Sequence, residues 1–241
     1  MPVAKPLHVF NRLIGSLPRK EHATLIAHCE PVELLFGKVL CESGRPFRYL
    51  YFPLSGFISM VITSGTHQPL ELALIGNEGM LGATKVLGLN TAPSRAVVQG
   101  SGSALRISPQ HLSQVLQECP RLLSVIKRYV YMLMTQLAQN IACGHFHEVE
   151  PRLARWLLMS HDRAHSDHLE LTHDFLANML GVRRSGITLA AGALQLRKLI
   201  HYSRGHITIL DRQGLEAAAC ECYAELDKAH IEPFRHSDRT D

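Results

Sequence analysis

Between Gly181 and His206 the chain carries five cations, Arg183, Arg184, Arg197, Lys198 and Arg204, and no Asp or Glu. A run of this length without an acid holds a local positive field, and the counter-charge it suits is a phosphate backbone. Ile187, Ala191 and Leu194 recur at i, i+4, i+7, which leaves Arg183, Arg184, Ser185 and Thr188 on the opposite side of a helix. A guanidinium can engage guanine O6 and N7 with two hydrogen bonds, and small hydroxyls serve base edges or phosphates. Arg183, Arg184, Ser185 and Thr188, with Arg204 further on, are therefore the candidate contacts to double-stranded DNA.

The neighbouring elements suit that task. Phe175, Leu176, Met179 and Leu180 fall at helical spacing behind Thr172, a capping residue, and Gly181 ends that helix. Ala177 and Gly181 are small where two helices cross. Residues 201–210 alternate around Arg204-Gly205, the pattern of two short strands and a tight turn. This stretch, Leu171 to His206, resembles the C-terminal winged helix-turn-helix of the Crp/Fnr family of bacterial transcription regulators.

Further upstream, Val32 to Ser108 holds ten of the seventeen glycines, with β-favouring runs YLYF, GFISMVIT, LELALI, RAVVQ and SALRI between them. Many short strands joined by glycine turns imply a sandwich or barrel. Ahead of it, Leu7 to Cys29 reads as helical, with a break at Pro18. From Pro120 onward, Leu122, Ile126, Tyr129, Leu133, Gln136 and Asn140 alternate at steps of four and three, a spacing that can build a two-helix seam or pack a helix on its own domain's core; the length of the helix and the need for two readers favour the seam. The expected dimerisation residues are Ile126, Tyr129, Leu133, Gln136, Leu137 and Asn140. Gly144 to Val149 reads as a joint, and Val149 to Arg163 as another amphipathic helix. The order of barrel, long helix and winged helix extends the Crp/Fnr resemblance over nearly the whole chain. The expectation is an α+β protein: residues 1–119 a double-stranded β-helix (jelly-roll) sensor of the cyclic-nucleotide-binding type with N-terminal helices, 120–147 a dimerisation helix and hinge, and 148–241 the winged helix with a helical tail.

The resemblance also locates an effector region. Family members that bind cyclic AMP use a Gly-Glu-Leu segment and, about ten residues on, Arg-Ser-Ala or Arg-Thr-Ala. Here the matching positions are Gly82, Ala83 and Thr84, then Ser94, Arg95 and Ala96. Glu-Leu is replaced, and serine and arginine are swapped. A shift of one residue in a strand turns a side chain to the other face, so Ser94 is expected to face the pocket and Arg95 to leave it. The expectation is against cyclic AMP, with the effector unknown. In the reader, Arg184 matches the family's guanine-reading arginine, Ser185 stands where Glu is common and Leu189 where Arg is common, so a different half-site is implied.

Composition excludes more than it identifies. The net charge is +4, and the segment from Ile207 onward carries eight acids, so basicity is local. No apolar run approaches a membrane span and no signal-type leader is seen, so a cytoplasmic protein without a membrane partner is expected. Six cysteines are scattered; Cys220-Glu-Cys222 lacks the usual chelating spacing, and none precedes Cys29, where iron–sulfur relatives place a cluster. Among fifteen histidines, His145 and His147 near Cys143, and His161, His165 and His168, read as solvated, so neither metal nor haem is expected. A redox role for Cys143 stays open. No P-loop, nucleophile–base pair or paired-carboxylate motif points to an enzyme. Implied partners are double-stranded DNA, a second copy of the chain and RNA polymerase. The alternative is a ligand-binding regulatory module that docks on a partner protein.

Overall fold

The computed structural model describes residues 11–63, 65 and 68–226. The expected helical start at Leu7 and the acids Asp227, Glu232, Asp238 and Asp241 lie outside them. Asn11 caps α1 (Arg12–Gly15), its side-chain oxygen accepting from the Leu13 and Ile14 N–H groups. Pro18 opens α2 (Arg19–Ala27).

Seven strands follow: β1 (Glu30–Leu34), β2 (Val39–Cys41), β3 (Leu50–Pro53), β4 (Phe57–Ile62), β5 (Leu70–Ile75), β6 (Arg95–Gly100) and β7 (Gly102–Ile107). They form two antiparallel sheets, ordered β1-β7-β3 and β2-β6-β4-β5. The five apolar runs singled out in the sequence are β3 to β7. At the turn into β4, Gly56 has φ 71°, and a Cβ there would collide with the Gly100 and Ser101 carbonyls, so only glycine closes this corner.

Strand β4 is buried on both faces. Ile58 and Met60 enter the interior of the roll, while Val61 joins the core of the second unit; in β6, Ala96 and Val98 face in, and Val97 faces that second core. Opposite faces therefore serve two different cores, which is why FISMVI shows no polar alternation.

Ser108 caps α3 (Pro109–Glu118), and α4 (Pro120–Phe146) follows; its 27 residues span roughly 40 Å. Then come α5 (Val149–Ala164), β8 (His168–Glu170), α6 (His173–Leu180), α7 (Arg184–Leu196), β9 (Ile200–Ser203), β10 (His206–Ile209) and α8 (Arg212–Ala218), with residues 222–226 again helical. Leu153, Leu157, Leu176, Ile187, Leu194 and Ile207 close this second core. The wing gains a third strand that the sequence reading does not include: β8 pairs with β10, giving the order β8-β10-β9.

The stripe on α4 requires a correction. Ile126, Tyr129, Leu133 and Gln136 are buried against the chain's own roll, so they have no surface to offer a second copy. Tyr129 seats on Gly79, where a Cβ would overlap its ring. Leu137 packs at the margin of the same core, and Asn140 is committed to the joint, its Nδ2 donating to the Leu72 carbonyl at 2.7 Å and its Oδ1 accepting from Arg155. A second stripe with the same spacing, Lys127, Tyr131, Met134, Ala138, Ile141 and His145, lies outward. Tyr131, Met134 and Ile141 there are 62 to 76% exposed.

Further polar contacts join the units besides Asn140. The Trp156 indole donates to Glu71 Oε1 at 2.8 Å. Arg163 Nε and a terminal nitrogen donate to Glu78 Oε1 at 3.0 and 2.8 Å, with both side chains only 6% exposed. No helix among the described residues is long and apolar enough to cross a membrane.

Candidate nucleic-acid interface

Thr172 Oγ1 accepts from the Phe175 N–H at 3.1 Å and starts α6 as its capping residue. Gly181 ends it at φ 64°, and the Val182 N–H returns to the Ala177 carbonyl at 3.0 Å, a left-handed turn that aims the chain into α7. Ile187, Ala190, Ala191 and Leu194 bury one face of α7, while Arg184, Ser185, Thr188 and Leu189 stand on the exposed one. No side chain caps its N-terminus and its first turn holds no acid, so the positive end of the helix dipole opens to solvent beside Arg183 and Arg184.

Four of the five sequence candidates have free or weakly held polar groups. Arg183, Ser185 and Arg204 are exposed. Arg184 pairs with Asp174 at 3.4 Å, and both side chains are about two-thirds exposed; such a pair contributes little and yields to a phosphate or base. Thr188 differs: its hydroxyl donates to the Arg184 carbonyl at 3.1 Å and accepts from His173 Nδ1 at 3.0 Å. A helical threonine satisfies itself on the preceding turn in this way, which leaves its methyl outward. His173, stacked on Tyr202 with ring centroids 4.1 Å apart, has its pKa lowered by burial and then by the Arg184 charge. Arg197, half-exposed, is paired with Glu150 of α5 at 2.9 Å.

The wing turn carries Arg204 at φ 48° and Gly205 at φ 85°. Two successive left-handed residues match the right-handed twist of a two-residue hairpin, and they project the Arg204 side chain from its tip.

In the roll, four of the six candidate effector residues line one cavity and the other two do not. Gly82, Ala83, Thr84 and Ser94 border a cavity of only about 10 Å³, lined also by Phe47, Met60, Met80 and Leu133. The Thr84 and Ser94 hydroxyls are buried there without a hydrogen-bond partner. Arg95 turns away and meets Glu42 at 3.5 Å, as the one-residue swap predicts, and Ala96 lies in the roll core. A larger cleft of about 780 Å³ opens instead between the units, lined by Arg12, Asn77, Arg163, His165, Arg212 and Glu221 among others.

His161, His165 and His168 do not converge. His161 sits between Asp167 and Arg212, His165 ends α5 at φ 52°, and His168 meets Thr208. The fold does gather Cys143, His147, Cys220 and Cys222, against the expectation drawn from spacing, because α8 returns the 220–222 segment to the end of α4. A hydrogen bond from Cys220, with Arg155 nearby, holds the Cys143 thiol pKa below its ordinary value.

Residues 31–119 match the model of the cyclic nucleotide-binding domain, and residues 151–218 that of the Crp-like helix-turn-helix domain. Among solved structures, the c-di-GMP responsive global regulator CLP of Xanthomonas campestris aligns at TM-score 0.65 and 18% identity, over 80% of this chain and 99% of that one. A CRP-family transcriptional regulator of Thermus thermophilus aligns at 0.65 and 17%, over 78% and 96%. FixK2 of Bradyrhizobium japonicum aligns at 0.64 and 14%, over 80% and 98%. No curated protein matches. At these identities the structural likeness establishes the fold, and the two domain models in sequence carry the assignment. With a cyclic-nucleotide-binding roll leading through a long helix into a Crp-like DNA-binding unit, the chain belongs to the Crp/Fnr family of transcription regulators.

Proposed function

We propose that the protein is a homodimeric, sequence-specific regulator that reads a two-fold-symmetric operator with α7. The observation that carries this reading is the uncapped, acid-free N-terminus of α7, where Arg183, Arg184 and Ser185 stand exposed, with Arg204 also exposed at the wing tip. Arg184 is the base-reading candidate, Arg183, Ser185 and Arg204 are positioning contacts to phosphate or base, and the Thr188 methyl with Leu189, 76% exposed, suits a thymine methyl. The dimer face is the outer stripe of α4, Tyr131, Met134, Ala138 and Ile141, rather than the inner one. Its heptad spacing and length support a parallel seam that sets two reader units about one DNA turn, roughly 34 Å, apart. RNA polymerase is the further partner that family membership suggests.

The roll supports a reading without cyclic AMP: a cavity of about 10 Å³ holds little more than a water, and the one arginine at the matching position is paired outside it. An effector would act by preferring one of two dimer geometries.

The test is selection from a random duplex pool by the full-length protein, with and without cyclic AMP, followed by binding of Arg184→Ala to the enriched site. One two-fold-symmetric motif in both arms, with affinity and base preference reduced in Arg184→Ala, is expected. Enrichment only with the nucleotide refutes the reading of the roll, and an unaltered Arg184→Ala refutes the assignment of α7.

A further inference from the structure

The C-terminal end of α4 carries Cys143 in its last turn and His147 just beyond, four residues apart and thus on one face. After α8, the chain returns Cys220 and Cys222 to that face. The three thiols are buried and pack together as a cluster of their own, apart from both large cores.

We propose that Cys143, His147, Cys220 and Cys222 form a tetrahedral site for a thiophilic divalent cation, with zinc the ion its ligand set fits. The four ligand atoms lie within 4.8 Å of one another. Cys143 Sγ and Cys220 Sγ are 3.6 Å apart, and Cys222 Sγ is 3.7 Å from His147 Nδ1. A tetrahedral zinc with its usual bonds to sulfur and nitrogen requires edges of roughly 3.5–3.8 Å; the two edges given match, and the others, all within 4.8 Å, need to shorten by about 1 Å at most. An oxygen-seeking cation such as magnesium has no ligand here, and a multi-iron cluster needs its thiolates further apart.

The surroundings are those of a ligand set rather than of packed thiols. Glu221 Oε1 lies 3.0 Å from His147 Nε2, which fixes the proton on that nitrogen and leaves the Nδ1 lone pair facing the sulfurs. Gln139 Nε2 donates to Cys222 Sγ at 2.9 Å, a bond that favours thiolate. Cysteines that serve only as small apolar side chains need neither an oriented imidazole nor an amide donor. A Cys143–Cys220 disulfide uses two of the four groups and leaves His147, Glu221 and Gln139 without a task. Each of the three metal–sulfur bonds would form as a thiol proton leaves to solvent, while the neutral His147 imidazole would bind through its Nδ1 lone pair; no oxidant or reductant takes part.

The site clamps the end of the long helix to the segment behind α8, across the joint between sensor and reader. It rests on none of the DNA contacts, so metal uptake and operator binding can fail separately. The test uses the full-length chain, purified under reducing conditions, stripped of metal by a chelator and titrated with cobalt(II) as a spectroscopic probe, then with zinc(II). One equivalent per chain with a tetrahedral thiolate–cobalt spectrum, displaced by zinc, is expected. Cys222→Ser should abolish that spectrum and Cys29→Ala should keep it. Glu221→Ala, at an exposed position that does not endanger folding, should lower affinity roughly 10- to 100-fold. Absence of a tetrahedral spectrum in the reduced chain overturns the proposal. So does uptake indifferent to both Cys222→Ser and Glu221→Ala, or a Cys143–Cys220 disulfide whose reduction gives a chain that takes no metal.

Discussion

The ion pair between Glu78 and Arg163 is the sharpest place to test how the sensor holds the reader. Glu78 follows β5 in the roll, Arg163 belongs to α5, and both are almost fully enclosed. Glu78 Oε1 takes two guanidinium N–H bonds and the Gly76 N–H at 3.0 Å, while Arg163 also donates to the Met159 carbonyl at 2.9 Å. The contact is so close that a Cβ on Gly76 would meet Arg163 at 2.6 Å. Removing one member of such a pair strands a charge in a low-dielectric site and costs about 3–5 kcal/mol, whereas removing both costs far less than the sum. Glu78→Gln keeps an acceptor for Gly76 and changes only charge; Arg163→Met keeps the aliphatic stem. Each single variant should lose about 3–5 kcal/mol, a fall in Tm of roughly 6–20 °C for a chain of this size. The double variant should recover about 2 kcal/mol or more of that sum. The chain's one tryptophan, Trp156, lies in the same joint and reports urea unfolding by fluorescence. Additivity of the two singles within about 0.5 kcal/mol, or an Arg163→Met chain as stable as the parent, would refute the reasoning.

Three further outcomes are expected. Met134→Glu with Ile141→Glu should give a folded monomer in sedimentation, since both side chains face outward; a retained dimer places the seam elsewhere. Burial raises the Glu71 carboxyl to about 7, despite hydrogen bonds from Ser59 and Trp156 that lower it. The folded chain therefore holds this proton more tightly than the unfolded one between about pH 4.5 and 7. Stability should fall as pH rises through that window, by roughly 3 kcal/mol at most, and Glu71→Gln should flatten the profile measured at pH 5 and pH 8. Arg204→Asn suits the left-handed turn better and should raise stability by up to about 1 kcal/mol while reducing the salt dependence of DNA binding by about one phosphate contact. An unaltered salt slope would separate Arg204 from the interface.

What was legible in the sequence was whatever local chemistry decides. The cap at Thr172, the stop at Gly181, the buried i, i+4, i+7 face of α7 and the hairpin at Arg204-Gly205 depend on neighbours a few residues away, and so did the glycine-cornered strands β3 to β7. β1 and β2 were not among the runs singled out: β1 is a largely exposed edge carrying two glutamates and a proline, and β2 has three residues, so neither shows a period. The swap at Ser94-Arg95 was readable too, because strand periodicity alone turns one of two adjacent side chains away.

Tertiary structure decided the questions that periodicity leaves degenerate. Helix α4 carries two stripes with the same alternation of four and three, one through Ile126 and Tyr129, the other through Tyr131 and Met134. Only the position of the roll selects which is buried. Glu71 and Glu78 give no sign in the sequence that they meet Trp156 and Arg163 from 85 residues away. Cys143 and Cys220 stand 77 residues apart and come within 3.6 Å only because two units share one joint. Spacing along the chain reports what one helix or strand can present, and the packing of one element on another determines what that surface meets.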